Sequence, residues 1–294
     1  CAWMLTSFGS ASLAAEWGTK LTSGELLASY CLTEPSHGSD AGHLQTTAAK
    51  DDEGYLLNGS KTFISGAGST DVLIVMARTG ESGPADISCF MVPADAEGII
   101  YGKKEDKMGW NSQPTRLITF ENVRIPTDYL IGDEGMGFKF AMKGLDGGRI
   151  NIASCSLGTA QAAVNSAQAY MLERKQFGRT ISSFQALQFK LADMVTELIA
   201  ARQMVRLAAV KLDAKDPQAT AYCAMAKRFA TDVCFQICDE ALQLHGGYGY
   251  IKEYPLERHV RDSRVHRILE GTNEIMRLII SRKILKEGAT EVII

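Results

Sequence analysis

Leu187, Leu191, Met194, Leu198, Ala201, Val205, Ala208 and Leu212 follow one another at alternating steps of four and three. On an α-helix that spacing draws a single apolar stripe. The stripe is roughly 38 Å long at the standard helical rise, and such a helix must bury it against other helices. The surrounding sequence supplies them. Upstream, "GFKFAMKGLDGGRINIASCSLGTAQAAVNSAQAYMLERKQFG" is Ala-rich and helical in period. Downstream, Asp216-Pro217 breaks the stripe, and Pro217 is placed to open a helix that runs to about Leu244 and stops at Gly246-Gly247. A last helix covers about Asn273 to Lys286. Long helices with short connections predict an antiparallel four-helix bundle.

The chain before Gly135 has another texture. From Tyr30 to about Pro126 the runs "DVLIVMAR", "DISCFMVP" and "RLITFENVRIP" are short, rich in β-branched residues and bounded by Gly, Pro and Asp. "GYLLNGSKTFIS" places Asn58-Gly59 between two strand-like runs, which predicts a hairpin there. The fold class is therefore α+β, a β-barrel or sandwich domain followed by the bundle. Boundaries are expected at 1–29 (helical), 30–134 (β) and 135–294 (bundle).

Charge is nearly balanced, with 31 basic and 34 acidic residues, and gives no reason to expect nucleic acid or an anionic membrane as main partner. No apolar run approaches the ~20 residues that span a bilayer. Seven cysteines lack a framework spacing and read as reduced core thiols. Cys234 and Cys238 share a helix face, either in the core or as half of a metal site that no further His or Cys completes.

Several stretches offer chemistry. "YCLTEPSHGSD" (30–40) ends a strand and opens a polar loop with backbone N–H groups and the Thr33 and Ser39 hydroxyls, suited to a heterocycle edge or a phosphate, or simply a Pro/Gly turn. "TFISGAG" (62–68) offers similar groups, but "GAGSTD" lacks the third glycine and the following helix of a Rossmann site. In "GLDGGR" two glycines inside a helix mean either close approach by another body or a kink with an Asp146–Arg149 pair. Arg174, ending a helix, suits the macrodipole or a phosphate, and "QLHGGYGY" (243–250) leaves N–H groups free as anion-binding loops do. His245 is read as structural. In "HRILEGTNEIMR" the carboxylate of Glu270 follows Ile268-Leu269 and precedes Gly271, which suits either a desolvated base or a solvent-facing helix end.

"YCLTEPSHGSD", "NGSKTFISGAG", "GWNSQPT", "ERKQFG", "QLHGGYGY" and "RVHRILEGTNEIMR" occur in the order found in the acyl-CoA dehydrogenases, and the resemblance covers about residues 4 to 290. It implies FAD as cofactor, an acyl-CoA thioester as substrate, electron-transfer flavoprotein as acceptor, a homotetramer and a mitochondrial matrix address. "GLDGGRINIASCSLG" and "GWNSQPT" resemble the branch that oxidises isobutyryl-CoA in valine breakdown. 2-Methylbutyryl-CoA, a straight short chain, or a non-catalytic scaffold are the alternatives. Glu270 becomes the catalytic base. Gly148 stands where two family members carry the base instead. Tyr30, Leu32, Thr33, Ser39, Phe63, Ile64 and Ser65 become flavin contacts, with Ser39 also reaching the CoA. Arg174, Phe184, Gln185, Gln243, Leu244, His245, Gly246 and Gly247 become FAD contacts exchanged between subunits, and Thr272, Asn273 and Glu274 return to the FAD. Asp146, Gly147, Gly148, Arg149, Gly271 and Arg282 are expected on the substrate side. No metal is implied.

Two departures are expected to matter. Ser36-His37 replace the family's Gly-containing pair, at ~1 kcal/mol if Ser36 needs a positive φ, and His37 is either a CoA-phosphate contact or a surface residue. The family also carries an N-terminal helical domain, of which residues 1–29 read as a remnant. The chain begins with Cys1 and shows no transit segment, as expected of a fragment or truncated product.

Overall fold

A computed structural model describes residues 1–293. The fold is α+β, a curled sheet and a long-helix bundle. The chain divides into two compact units, one of residues 1–107 with 111–144, the other of residues 108–110 with 145–294.

The first unit opens with α1 (Ala2–Phe8), α2 (Ala11–Leu13) and α3 (Thr19–Ser23). Its sheet holds β1 (Ala28–Cys31), β2 (Thr47–Asp51), β3 (Gly54–Ser65), β4 (Val72–Arg78), β5 (Ile87–Pro93), β6 (Ile99–Tyr101) and β7 (Thr115–Ile125). The strand order is β1-β4-β2-β3-β7-β6, with β5 paired to β4. β4 reads as an unbroken apolar run, and β5 as one interrupted only by Ser88, because Val72–Ala77 and Ile87–Val92 are buried throughout. β3 and β7 alternate buried and open positions along much of their length, as strands with one wetter face do. Tyr55, Leu57, Val75, Phe90, Ile118 and Phe120 are among the core residues.

The hairpin expected at Asn58-Gly59 is not there. β3 runs straight through it, and the hairpin turn lies between Asp51 and Gly54, which joins β2 to β3. Asn58 faces an extra residue on β7, and its side chain is consumed across the strands: it accepts the Asn122 N–H (2.8 Å) and donates to Asn122 Oδ1 (3.1 Å). Gly59 is needed for space, since a Cβ there would lie 2.7 Å from Thr46 Cα. An Asn-Gly pair serves a bulge as well as a turn, and tertiary packing decides which.

In the second unit α4 (Gly137–Glu173, shared with the first), α5 (Gln185–Asp213), α6 (Ala219–His245) and α8 (Asn273–Glu287) are the long helices. Short β8 (Lys175–Gln176) and β9 (Arg179–Thr180), α7 (Leu256–Arg264) and α9 (Ala289–Ile293) complete it. The stripe is the seam of the bundle. Met194, Leu198, Ala201, Val205 and Ala208 are buried in its core, with Leu187, Leu191 and Leu212 packed beside them. Ala153, Ala160, Ala163 and Ala167 bring the facing side of α4 close. Cys234 and Cys238 lie in this same core, where burial pushes both thiols up to about 12. The helix break is made by Lys215 at φ +54 and by Asp216, whose carboxylate accepts the Gln218 N–H at 2.7 Å. α4 does not break at its glycines. Among the described residues no helix is long and apolar enough to cross a membrane.

Candidate active site

Glu270 and Gly271 occupy the turn ahead of α8, with φ of +56° and +85°. For glycine that conformation is free, whereas a glutamate there costs roughly 1–2 kcal/mol. Such strain persists only where the surroundings impose it, and it clusters at functional sites. The Glu270 side chain lies against α4 at Gly148. A Cβ built on Gly148 would come 2.9 Å from Glu270 Cδ and closer still to Oε2. Gly148 therefore makes the close approach that two glycines in a helix suggest. Burial raises the Glu270 pKa, opposed by the charges of Arg149 and Lys227. The result is a half-buried carboxylate of increased basicity.

Its neighbours are organised. Arg149, 4% exposed, donates to Asp146 Oδ1 at 2.6 Å, and Thr220 Oγ1 donates to Asp146 Oδ2 at 2.7 Å. The i, i+3 pair is thus formed inside a continuous helix. Both Asp146 oxygens are engaged within the bundle, while the buried Arg149 Nε has no partner among the described residues. Lys227 of α6 donates to Gly271 O and Asn273 Oδ1, at 2.8 and 2.9 Å. Thr272 caps α8 by accepting the Ile275 N–H. Glu274 is exposed on the first turn of that helix. Arg282 lies exposed roughly 13 Å along α8 from its start, so the structure does not bring it to the turn.

Upstream of the turn, His266 is held by Trp110 and Ser156. Trp110 Nε1–H can only donate, so His266 Nε2 accepts (3.1 Å) and Nδ1–H donates to Ser156 Oγ (2.7 Å). Burial lowers the His266 pKa to about 4, which keeps this neutral tautomer. Trp110 itself sits at φ +54 with its N–H on Asp262 Oδ1. Nothing in the periodicity of the sequence marks Lys227, Ser156 or Trp110 for this work.

A second feature of the bundle unit is a cavity of about 690 Å³ lined by Tyr170, Arg174, Gln243, Leu244, His245, Gly246 and Gly247, among others. A side chain at Gly246 or Gly247 would meet nothing within 4 Å, so their backbone is open. Arg174 lies over the Tyr248 ring (5.4 Å), and no carboxylate pairs with it among the described residues. His245 is buried, bonded to Ala241 O (2.8 Å) and stacked on Tyr170. It shapes the wall and keeps the structural role expected of it. Phe184 and Gln185 begin α5, with the Arg179 guanidinium 4.1 Å over the Phe184 ring. Phe177, which sequence reasoning missed, is 92% exposed at the tip of the β8–β9 hairpin.

In the sheet unit, the loop after β1 carries Leu32 buried, Thr33 half-buried and Ser39 exposed. Tyr30 precedes them on β1 and is half-buried. Glu34 anchors the loop by accepting the N–H groups of Gln45 and Thr46 and the fully buried Lys61 ammonium (2.8 Å). Lys61 also donates to Leu32 O, and Thr62 N–H to Thr33 O. Ser36 does not take a positive φ, so the strain expected of it does not arise. His37 is half-buried, 3.9 Å from Glu34. At the second bulge β3 carries the extra residue, where Phe63 turns to φ +56 and is left 69% exposed between buried Thr62 and Ile64. Ser65, beyond it, is exposed.

The acyl-CoA dehydrogenase middle-domain model matches residues 29–123, and the C-terminal-domain model residues 135–285. The chain belongs to the acyl-CoA dehydrogenase family. It is 55% identical over 288 residues to the mitochondrial isobutyryl-CoA dehydrogenase of Dictyostelium discoideum, covering 98% of this chain and 69% of that protein. Butyryl-CoA dehydrogenase from Megasphaera elsdenii superposes with a TM-score of 0.95 at 43% identity, over 97% of this chain and 75% of that one. A chain in a structure of the electron transferring flavoprotein of Acidaminococcus fermentans does so equally, at 0.95 and 43%, over 98% and 76%.

This acyl-CoA dehydrogenase is an FAD-dependent oxidoreductase. Its residues fit the cofactor. A bare aromatic ring held out by a bulge, Phe63, suits a flat heterocycle. An arginine with no paired carboxylate among the described residues, Arg174, lining a cavity whose wall is kept open by the side-chain-free Gly246-Gly247, suits a pyrophosphate.

Because Gly148 faces the movable end of Glu270, Gly148→Ala should displace the carboxylate and leave the fold intact. We expect turnover to fall about a hundredfold, the scale of an ångström-sized misplacement, with unchanged flavin content by absorbance.

Proposed function

We propose that this dehydrogenase oxidises isobutyryl-CoA to methacrylyl-CoA in valine breakdown, in the mitochondrial matrix as a homotetramer, and passes its electrons to electron-transfer flavoprotein. The observation that carries the chemistry is Glu270, a strained, half-buried carboxylate of raised pKa against a glycine gap. The higher identity to an isobutyryl-CoA dehydrogenase than to a butyryl-CoA dehydrogenase supports the acyl chain, and the match to a chain in an electron transferring flavoprotein structure supports the acceptor.

Glu270 takes the α-proton of the thioester. That C–H is a weak acid, so the base must be strong and dry, and burial provides both. As enolate charge grows on the thioester oxygen it needs a donor, and the Glu270 N–H is the candidate. FAD, when bound, would supply the acceptor for the β-hydrogen and its electron pair. Tyr30, Leu32, Thr33, Ser39, Phe63, Ile64 and Ser65 would hold the flavin from the sheet unit. Arg174, Phe184, Gln185, Gln243 to Gly247 and Thr272 to Glu274 would supply FAD contacts from the bundle unit, with Arg174 on the pyrophosphate. Asp146 to Arg149, with Gly271, would face the CoA thioester, Ser39 would reach the CoA from the sheet unit, and Arg282 is the outlying substrate candidate.

The test is the visible flavin spectrum during anaerobic addition of isobutyryl-, 2-methylbutyryl- and n-butyryl-CoA. Isobutyryl-CoA should bleach the flavin band fastest. Faster bleaching by the straight chain would replace the proposed substrate, and no bleaching by any of them would reject the dehydrogenase reading of this chain.

A further inference from the structure

Lys227 is 0% exposed in the middle of α6, an unusual place for an ammonium. Its partners explain it. Gly271 O and Asn273 Oδ1 flank the catalytic turn on its C-terminal side, and both accept from Nζ. Asn273 is itself locked, donating to Thr231 Oγ1 at 3.0 Å and Asp232 Oδ1 at 2.9 Å. The left-handed backbone of Glu270 and Gly271 is what carries the Gly271 carbonyl to α6. Removing the ammonium would leave that carbonyl without its α6 partner and give the turn reason to relax.

We propose that Lys227 is the positioning residue of the catalytic turn, its ammonium fixing the Gly271 carbonyl and the Asn273 side chain so that the Glu270 carboxylate is held at Gly148. This rests on Glu270 being the base. A neutral methionine could fill the space but not hold the turn, and it would remove a positive charge near the carboxylate. The charged groups acting on Lys227 are Glu270 from the turn, Asp232 from α6 itself, Arg149 from α4 and Glu274 from α8. Burial lowers the Lys227 pKa to about 8, so the clamp is mostly charged at neutrality and weakens above that.

Three readings test this on the flavin-bound enzyme. Solvent deuterium uptake at the substrate α-carbon, followed by mass spectrometry, reports proton abstraction. Proton uptake on binding a CoA thioether, which has no carbonyl, is read by calorimetry across pH and gives the Glu270 pKa. Thermal midpoint and flavin content report the fold. Lys227→Met should keep its flavin, slow deuterium uptake about a hundredfold and move the proton-uptake profile to higher pH. Lys227→Arg, which keeps the charge and donors, should recover part of both. Deuterium uptake at the wild-type rate with an unmoved profile in Lys227→Met overturns the proposal. Should that variant fail to bind flavin, Lys227→Gln, which keeps one donor and loses the charge, decides by the same two readings. Glu270→Gln separates the two levels: if it still exchanges the α-hydrogen, the base is elsewhere, whereas if it does not and Lys227→Met exchanges normally, only the role of Lys227 is lost.

Discussion

Glu270→Gln should bind flavin and acyl-CoA and leave the flavin band unbleached, with reduction slowed by about 10⁴-fold, the upper range for losing a general base. The amide keeps the size and hydrogen-bonding edge of the acid but cannot take a proton. Stopped-flow absorbance checks it, and reduction at an unchanged rate would move the base away from Glu270. A second consequence separates this residue from an ordinary surface glutamate. Its folded pKa is raised by burial, so in the folded protein the ionised form is the disfavoured one. The sign follows: the stabilising contribution is full below the unfolded carboxylate pKa and is lost as pH rises through the folded value. Above that folded value the base is ionised at the expense of the fold. Glu270→Gln should therefore melt at the same or a higher temperature than wild type near neutrality, the difference shrinking on acidification. Catalysis has the opposite dependence, since the carboxylate is the active form, and should fade as pH falls through that raised pKa. Loss of activity with gained stability is what a functional, strained acid produces.

The bundle was legible because its signal is periodic. The stripe from Leu187 to Leu212 is one face of one helix, and nothing but burial explains it. The strands were legible as β-branched runs, but their joining was not. Asn58-Gly59 spells a turn locally and forms part of a bulged crossing with β7, because Thr46 and Asn122 meet it there. Glu270 was visible as an acid beside apolar residues and a glycine, and its position in a motif gave it a role. Its support was not visible. Lys227, Ser156 and Trp110 are distant in the chain, and although Ser156 and Trp110 fall in quoted motifs, nothing in those motifs joins them to the turn. Lys227 in particular sits in an Ala-rich helix where a lysine ordinarily reads as the solvent face. Only the fold reveals that it points inward. Asp146 was legible as a partner for Arg149 three residues on, but its second partner, Thr220 of α6, was not.

The same blindness hid Lys61, and its replacement should have the largest effect on stability. Lys61→Met leaves the Glu34 carboxylate, now 5% exposed, with two backbone N–H groups and no counter-charge. Breaking a buried pair from one side costs about 3–5 kcal/mol, a large share of what a domain has. Denaturant unfolding should show that loss. Glu34→Gln with Lys61→Met should recover part of it, because the stranded charge is then gone. The loss should also reach the loop that carries Leu32 and Thr33, since Lys61 holds Leu32 O directly and flavin affinity should weaken with it. The pH dependence identifies the cause. Burial alone would raise the Glu34 pKa, but the Lys61 charge and the hydrogen bonds from Lys61, Thr46 and Gln45 outweigh it and hold it below the usual range. In the wild type that contribution is present above the unfolded carboxylate pKa and lost as pH falls through the depressed one. Without Lys61 the remaining burial pushes the other way, and protonation becomes a relief. The stability gap between wild type and Lys61→Met should therefore be widest at neutral pH and close as the solution is acidified. A gap that stays constant with pH would mean that the lysine stem, and not its charge, holds the loop in place.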